Sequence, residues 1–414
     1  MRDLRVQYFL TFAVIGAVLP YVSVFFRQAG LTEAQVGYAW AMWSAAVVCS
    51  PVVVTLAADR RHDPRRLLVL ASVLTCASLL ALGLVRGVAP VLAVWAVYCL
   101  SSLPVLTLQD GIHFSEQRRR AERGESQRPY HLVRVWGTVG FIIPSILLFV
   151  LLEWGMSLRA CLWTGAACAA LSAFQATRLA APRPRDAPAA DAEAGAADSK
   201  LPTLAAARTL LRPHLLAFTA AIVLVQMAGS VHAAFYPIYL TEKVGVGEKW
   251  LGQASNLAVF IEIFFVYGCG ALVRVLGVRK LLLLATIATA TRFALLAASE
   301  HVAVAFATQA FHGIFLVAVG VLPQMILDEN AGDRFRHSMQ GVFVMVTGSG
   351  RVVASAVSGP IAAWSISGLY GCAAALCVAA GLILFAYPDS ARASKEADVE
   401  DREPAMPSAS TEAT

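Results

Sequence analysis

Charge is scarce in this chain. Asp, Glu, Lys and Arg make up only 14% of the 414 residues, while 58% are hydrophobic. A soluble domain carries roughly 25% charge and about 45–50% apolar residues. A soluble globule of this length could not bury so much apolar surface, so the composition points to lipid as the solvent. Also missing are the signatures of chemistry. No HExxH, GxSxG or ATP-binding pattern occurs. The GSG at 348–350 lacks both the preceding strand and the Lys-Ser/Thr that a nucleotide site needs. The eight cysteines, at positions 49, 76, 99, 161, 168, 269, 372 and 377, all lie in apolar stretches, and none forms a CxxC pair. They read as small hydrophobes, not as a disulfide framework or a zinc site. The first apolar run has no A-x-A cleavage signal after it and is too long for a signal peptide. These absences argue against a membrane enzyme, which stays only as a third and weaker alternative, and against ATP-driven pumping; no cofactor or metal is expected.

What is present is a series of long apolar runs. A membrane span needs about 20 mostly apolar residues. Runs of this kind fall at 6–26, 35–57, 66–85, 89–112, 131–153 and 158–178. After a break they resume at 214–240, 249–274, 280–298, 301–327, 337–363 and 367–387. The expected fold is therefore an all-α membrane protein with twelve transmembrane helices. Its organisation is an N-terminal six-helix half (1–180), a cytoplasmic linker (181–213), a C-terminal six-helix half (214–387) and a polar tail (388–414). The stretch PRPRDAPAADAEAGAADSK (182–200) is rich in Ala, Asp and Pro and reads as a flexible linker.

The net charge of +6 is distributed by topology. With the N-terminus cytoplasmic, 25 of the 33 Lys and Arg residues fall on the cytoplasmic side. They include the clusters at 60–66 and 118–128. Only Arg27, Arg86, Arg159, Lys243 and Lys249 fall on the other side, and Arg134, Arg292 and Arg351 lie within or at the ends of helices. Such asymmetry places both termini in the cytoplasm. It also removes the case for a nucleic-acid partner.

Ionisable groups deep in a span cost roughly 2.5–3.5 kcal/mol each on insertion scales, so they are functional candidates by default. Glu262 sits in NLAVFIEIFFVYG with apolar residues on both sides. Desolvation works against a bare carboxylate there, so the side chain can exchange a proton, as a proton-coupled carrier requires. The alternative is a permanent ion pair with Arg292 that fixes helix packing. Arg292, in TATRFALL, either holds Glu262 ionised or binds an anionic solute. His312 either titrates or donates to a solute, or is a satisfied interior group. Arg134, Thr138 and Phe141 share one face of the fifth helix at i, i+4 and i+7. Together they offer a cation, a hydroxyl and an aromatic platform, which suits a polar ring-bearing solute. The competing reading is an Arg snorkelling to the headgroups. Asp110 is placed to pair with Arg134. Gln226 either hydrogen-bonds a solute or bridges two helices. The small residues of TGSGRVVASAVSG (347–359) read as a packing surface.

Several of these segments resemble one family. QYFLTFAVIGAVLPYVSVFFRQAGLTEAQVG, RVWGTVGF (134–141), LGVRKLLLL (276–284), RFALLA (292–297) and RHSMQGVFVMVTGSG (336–350) resemble the major facilitator superfamily. The likeness is to its branch of nucleoside:proton symporters and phenylpropionate permeases, and more distantly to lactose permease. It covers both halves and implies the major facilitator fold of two fused six-helix halves. It implies solute contacts for Arg134, Thr138, Phe141, Gln226 and His312. It implies proton-coupling roles for Glu262 and Arg292; Asp110, an ionisable group within a span, is a further proton-coupling candidate from the residues alone. The chain also departs from these relatives. Val317 stands where the nucleoside group has Asp, Phe315 where lactose permease has Glu, Val259 where a Gln precedes the acid, and Asp110 where Asn is usual. Loss of a polar group that bonds a hydroxylated substrate damages recognition.

The expected function is secondary active transport, proton-coupled symport of a small organic solute such as a nucleoside across the inner membrane by a monomer. The alternatives are uptake of an aromatic carboxylic acid, or a non-transporting sensor or scaffold on the same fold. The expected partners are the solute, protons and the lipid bilayer.

Overall fold

The computed structural model describes residues 2–59, 63–126, 130–179 and 207–386. The sequence-expected linker and tail therefore fall largely outside the described residues. Twelve long helices are seen among those described. They are α1 (Arg2–Gln28), α2 (Glu33–Asp59), α3 (Pro64–Leu84), α4 (Val88–Glu122), α5 (Tyr130–Glu153), α6 (Ala160–Thr177), α7 (Pro213–Ile238), α8 (251–276), α9 (278–298), α10 (Val302–Asn330), α11 (Ser338–Trp364) and α12 (Ile366–Phe385). Helices α8 and α9 are two arms of one stretch, Leu251–Ala298. They are separated by Gly277, whose φ of 75° and ψ of 159° lie outside the helical region. A side chain resists that backbone conformation, and glycine does not.

Each expected span is a helix. The largest departure is α4, which continues from the end of its apolar run to Glu122. Its polar extension is held by Glu116, which reaches Arg119 and Arg120 at 3.5 Å each. Such i,i+3 and i,i+4 pairs support helix beyond the lipid.

In the first half α1 packs on α5 and α6, and α3 packs on α4 and α6. In the second α7 packs on α11 and α12, while the α8–α9 unit packs on α10 and α12. The α1–α5 contact is backbone on backbone. A Cβ added at Gly16 would come within 2.8 Å of Phe141 Cα, and one added at Gly140 within 2.8 Å of Phe9 Cα. Small residues that let helices approach this closely are the means of helix association in lipid, where apolar contact alone offers no preference over lipid tails. Leu70, Leu100, Phe260, Phe264, Val353 and Val357 are exposed along the outer surface, as lipid-facing side chains are. Trp154 and Trp364 lie exposed at the ends of α5 and α11, positions that suit an interfacial belt.

The halves meet along α2 with α11, α5 with α8 and α1 with α7. A set of polar pairs joins them at the end of the bundle opposite the N-terminus. Arg27 Nε donates to Glu242 at 3.0 Å, Lys249 pairs with Glu153, and Gln28 donates to Glu248. Arg27 Nη2 also reaches Glu33 at 2.7 Å.

Candidate functional site

Four helices of the second half contribute to a linked polar group in the middle of the apolar bundle. α7 supplies His232, α8 Glu262, α9 Arg292, and α10 Gln309 and His312. Arg292 is almost wholly buried. Its Nη2 donates to Gln309 Oε1 at 2.9 Å and stands 2.7 Å from His232 Nε2. Its Nη1 stands 3.4 Å from His312 Nδ1. A guanidinium can only donate. Both imidazole nitrogens that face Arg292 therefore accept, and the proton of each neutral ring sits on the far nitrogen. For His312 that nitrogen is Nε2, which lies 3.7 Å from Glu262 Oε2. For His232 it is Nδ1, which lies 3.5 Å from the Tyr370 hydroxyl. Glu262 and Arg292 are thus linked through His312, and no direct pair between them occurs among the described residues. Buried polar groups in such a network are costly unless partnered. Arg292 Nε remains without a partner.

The backbone of α10 is irregular around His312. A 3₁₀ turn, Thr308–Phe311, precedes it and a π turn, Val317–Val321, follows it. Interruptions of this kind concentrate at functional sites in helices. Gly313 makes room for α8: a Cβ there would lie 3.1 Å from Glu262 Cα. The acid and the imidazole are thus brought together by a close α8–α10 approach that only the missing side chain permits.

The first half presents the fifth-helix face. Arg134 lies over the ring of Phe12, its Cζ 3.9 Å from the ring centroid. It belongs to α5, which packs on α8, the helix of Glu262, across the interface between the halves. Thr138 and Phe141 follow on the same face and are half-buried. One turn beyond Phe141, Ser145 Oγ donates to the Gly16 carbonyl at 3.2 Å, and Gln253 of α8 donates to the Ser145 carbonyl at 3.3 Å. The face therefore runs along α8. Gln226 of α7 is half-buried and makes no hydrogen bond among the described residues.

Asp110 sits elsewhere. It accepts from the hydroxyls of Tyr8 and Tyr130, the latter at 3.1 Å. No ion pair with Arg134 lies within reach among the described residues. Nearby, Gln7 donates to Ser172 at 2.8 Å and Thr11 donates to Gln109 at 2.8 Å, a polar seam inside the first half.

The structure brings Glu262, Arg292 and His312 together and sets Arg134 opposite them. It separates Asp110 from that group. Sequence reasoning did not single out His232, Gln309 or Phe12. His232 carries the same signal as His312, an ionisable group inside an apolar run. Gln309 and Phe12 carry none, because their roles depend on partners far along the chain.

Comparison with known proteins agrees with this architecture. The model of the MFS_1 like family matches residues 1–370. The putative nucleoside transporter YegT of Escherichia coli (strain K12) is 25% identical over 356 residues, covering 81% of this chain and 78% of that protein. The probable 3-phenylpropionic acid transporter of the same strain is 27% identical over 325 residues, covering 76% and 79%. A solved structure of nucleoside transporter NupG, in a mutant form, superposes with a TM-score of 0.79 at 17% identity, covering 93% of this chain and 98% of that one. These relatives are named as transporters, not enzymes. The chain belongs to the MFS_1 like family, and it is a multi-pass membrane transporter with the major facilitator fold.

Proposed function

We propose that the protein is a proton-coupled symporter of a small organic solute such as a nucleoside. In this reading the membrane is the bacterial inner membrane, and both termini are cytoplasmic. The observation that carries the reading is the position of Glu262. It is a carboxyl group on α8, the helix that packs on α5 of the other half, and its Oε2 lies 3.7 Å from His312. A carboxyl so placed changes partners when the halves rock. Protonated, it releases Arg134 and allows rocking. Ionised, it is held. Thr138 and Phe141 supply a hydroxyl and a ring face to the solute, and Gln226 supplies an unused carboxamide. Asp110 serves as a second acid, on the path along the first half. YegT, named a putative nucleoside transporter, supports the nucleoside class.

Reconstitution tests this. Glu262→Gln in proteoliposomes loses uphill accumulation under a proton gradient and keeps solute exchange. Full accumulation by that variant rules out Glu262 as the proton site.

A second reading is symport of an aromatic carboxylic acid. The cation–ring pair of Arg134 and Phe12 favours it, since it sets a positive charge beside an apolar face. The similarity to a probable 3-phenylpropionic acid transporter supports it as well. A melting-point screen of the purified protein against nucleosides, aromatic acids and sugars separates the two, because only a ligand of the folded state raises the midpoint.

A further inference from the structure

Arg351 stands alone in the small-residue stretch of α11. Val346, Val353 and Val357 mark the lipid-facing side of that helix, at 43%, 56% and 53% exposure. Arg351 precedes Val353 by two residues, roughly 200° around the helix. It therefore projects to the interior side, where it is half-buried.

Its depth is set by its neighbour. Gly350 lies against α7, where a Cβ would come within 2.7 Å of Val223 and 3.4 Å of Met227. Gln226 falls between those two residues in sequence. Arg351 and Gln226 thus follow one another at the same level on adjacent helices, near the middle of each.

The other two midmembrane guanidinium groups are occupied. Arg134 lies on Phe12, and Arg292 is taken up by two imidazoles and a carboxamide. Arg351 has no hydrogen bond and no carboxylate within ion-pair distance among the described residues, and its Nε is buried without a partner. Among the described residues no acid on the neighbouring elements serves it. α11 and α12 contain none between Ser338 and Phe385. Glu242, which follows α7, and Glu33 of α2 are both bound to Arg27. Asp59, the other acid of α2, lies eleven residues beyond Val48, the residue against Gly348. That is roughly 16 Å further along the helix. A guanidinium is always charged and offers a fork of donors suited to a carboxylate. An ionised side chain inside a membrane protein is retained where something of opposite charge meets it.

We propose that Arg351, on the interior side of α11 at the level of Gln226 on α7, is the anchor for a carboxylate on the transported solute. This rests on the reading of the chain as a carrier and narrows its substrate to an organic anion. The guanidinium takes both carboxylate oxygens. A neutral amide isostere brings donors to donors and is rejected.

The test uses the full-length purified protein at fixed ionic strength. The probes are 3-phenylpropionate, benzoate and butyrate, the neutral 3-phenylpropanamide, and uridine. The expected result is a saturable rise in melting midpoint with at least one carboxylate and none with the amide. Arg351→Gln abolishes the rise. Arg351→Lys keeps the charge and the fold and weakens half-saturation by about tenfold, through loss of the fork. Three results overturn the proposal. One is a rise with uridine that is equal in wild type and Arg351→Gln, with no response to carboxylates. Another is no response to any carboxylate. The third is an unchanged half-saturation in Arg351→Lys and Arg351→Gln. A carboxylate that binds through Arg351 but is never accumulated in proteoliposomes under any gradient leaves the anchor standing and defeats the carrier reading.

Discussion

His312 stands 3.7 Å from Glu262, with its Nε2 toward the carboxylate. The ring's other nitrogen faces Arg292, so the imidazole separates an acid from a base that would otherwise neutralise it. The spacer keeps Glu262 available to partners on the other half. Replacing His312 with Ala removes the spacer. Arg292 then competes for Glu262 directly, and accumulation against a gradient falls while exchange continues. Counterflow and proton-driven uptake in proteoliposomes measure the two. Unimpaired accumulation would show that the spacing has no role in coupling.

Arg292 makes three contacts that a lysine cannot reproduce together. Arg292→Lys keeps the charge but leaves at least one of His232, Gln309 and His312 without its donor. Each buried group so orphaned costs about 1–3 kcal/mol. The melting midpoint in detergent falls accordingly. Transport falls with it, since the imidazole orientations are no longer held. A midpoint equal to wild type would mean that the network is already satisfied without the fork.

The α1–α5 contact leaves no space for a methyl group at Gly16 or Gly140. Gly16→Ala and Gly140→Ala force the helices apart, and overpacking of this kind costs about 1–3 kcal/mol. Gly371→Ala on α12 is the control. Nothing lies within 4 Å of the added methyl, so its midpoint stays within about 1 kcal/mol of wild type. Equal behaviour of all three variants contradicts the close approach.

The pairs Arg27–Glu242 and Lys249–Glu153 join the halves at one end. Exposed pairs contribute only about 0.2–1 kcal/mol each, so their loss barely alters stability. Their effect is on the balance between the two rocked states. Lys249→Glu shifts that balance toward separation at this end, and the double swap Lys249→Glu with Glu153→Lys restores it. Cysteine-reagent accessibility near α5 and α8 reports the shift. The single change is also mimicked by high salt, which screens charges on the scale of a Debye length.

Phe12 holds the Arg134 guanidinium at 3.9 Å from its ring centre. Phe12→Leu keeps the volume and removes the ring, at a cost of about 0.5–2 kcal/mol to the arrangement. Solute affinity weakens by roughly 2- to 30-fold while expression is unchanged. Titration calorimetry or melting shifts give the ratio. An unaltered affinity would leave Arg134 as a side chain that only reaches for the headgroups.

Helix number and family were legible in the residues alone. Hydropathy is read over a window, and motifs are read along the chain. Both are local, and the twelve spans emerge from the first with ends within a few residues. The departure at α4 has a local cause too, in the Glu116 pairs that carry the helix past the apolar run. Glu262, Arg292 and His312 were also legible, because a charged or polar group inside an apolar run stands out. What the sequence could not supply was who meets whom. Arg292 meets His232 across sixty residues of chain and His312 across twenty. Asp110 is taken by Tyr8, 102 residues away, and so turns from Arg134. Arg351 lies in a stretch that reads as packing surface, and only the packed helices show that its buried Nε is left without a partner. Solvent preference is a property of segments, so the sequence determined which parts enter the membrane. Partner choice depends on distances between helices, which close approaches such as Gly313 on Glu262 set, and those only the tertiary structure decided.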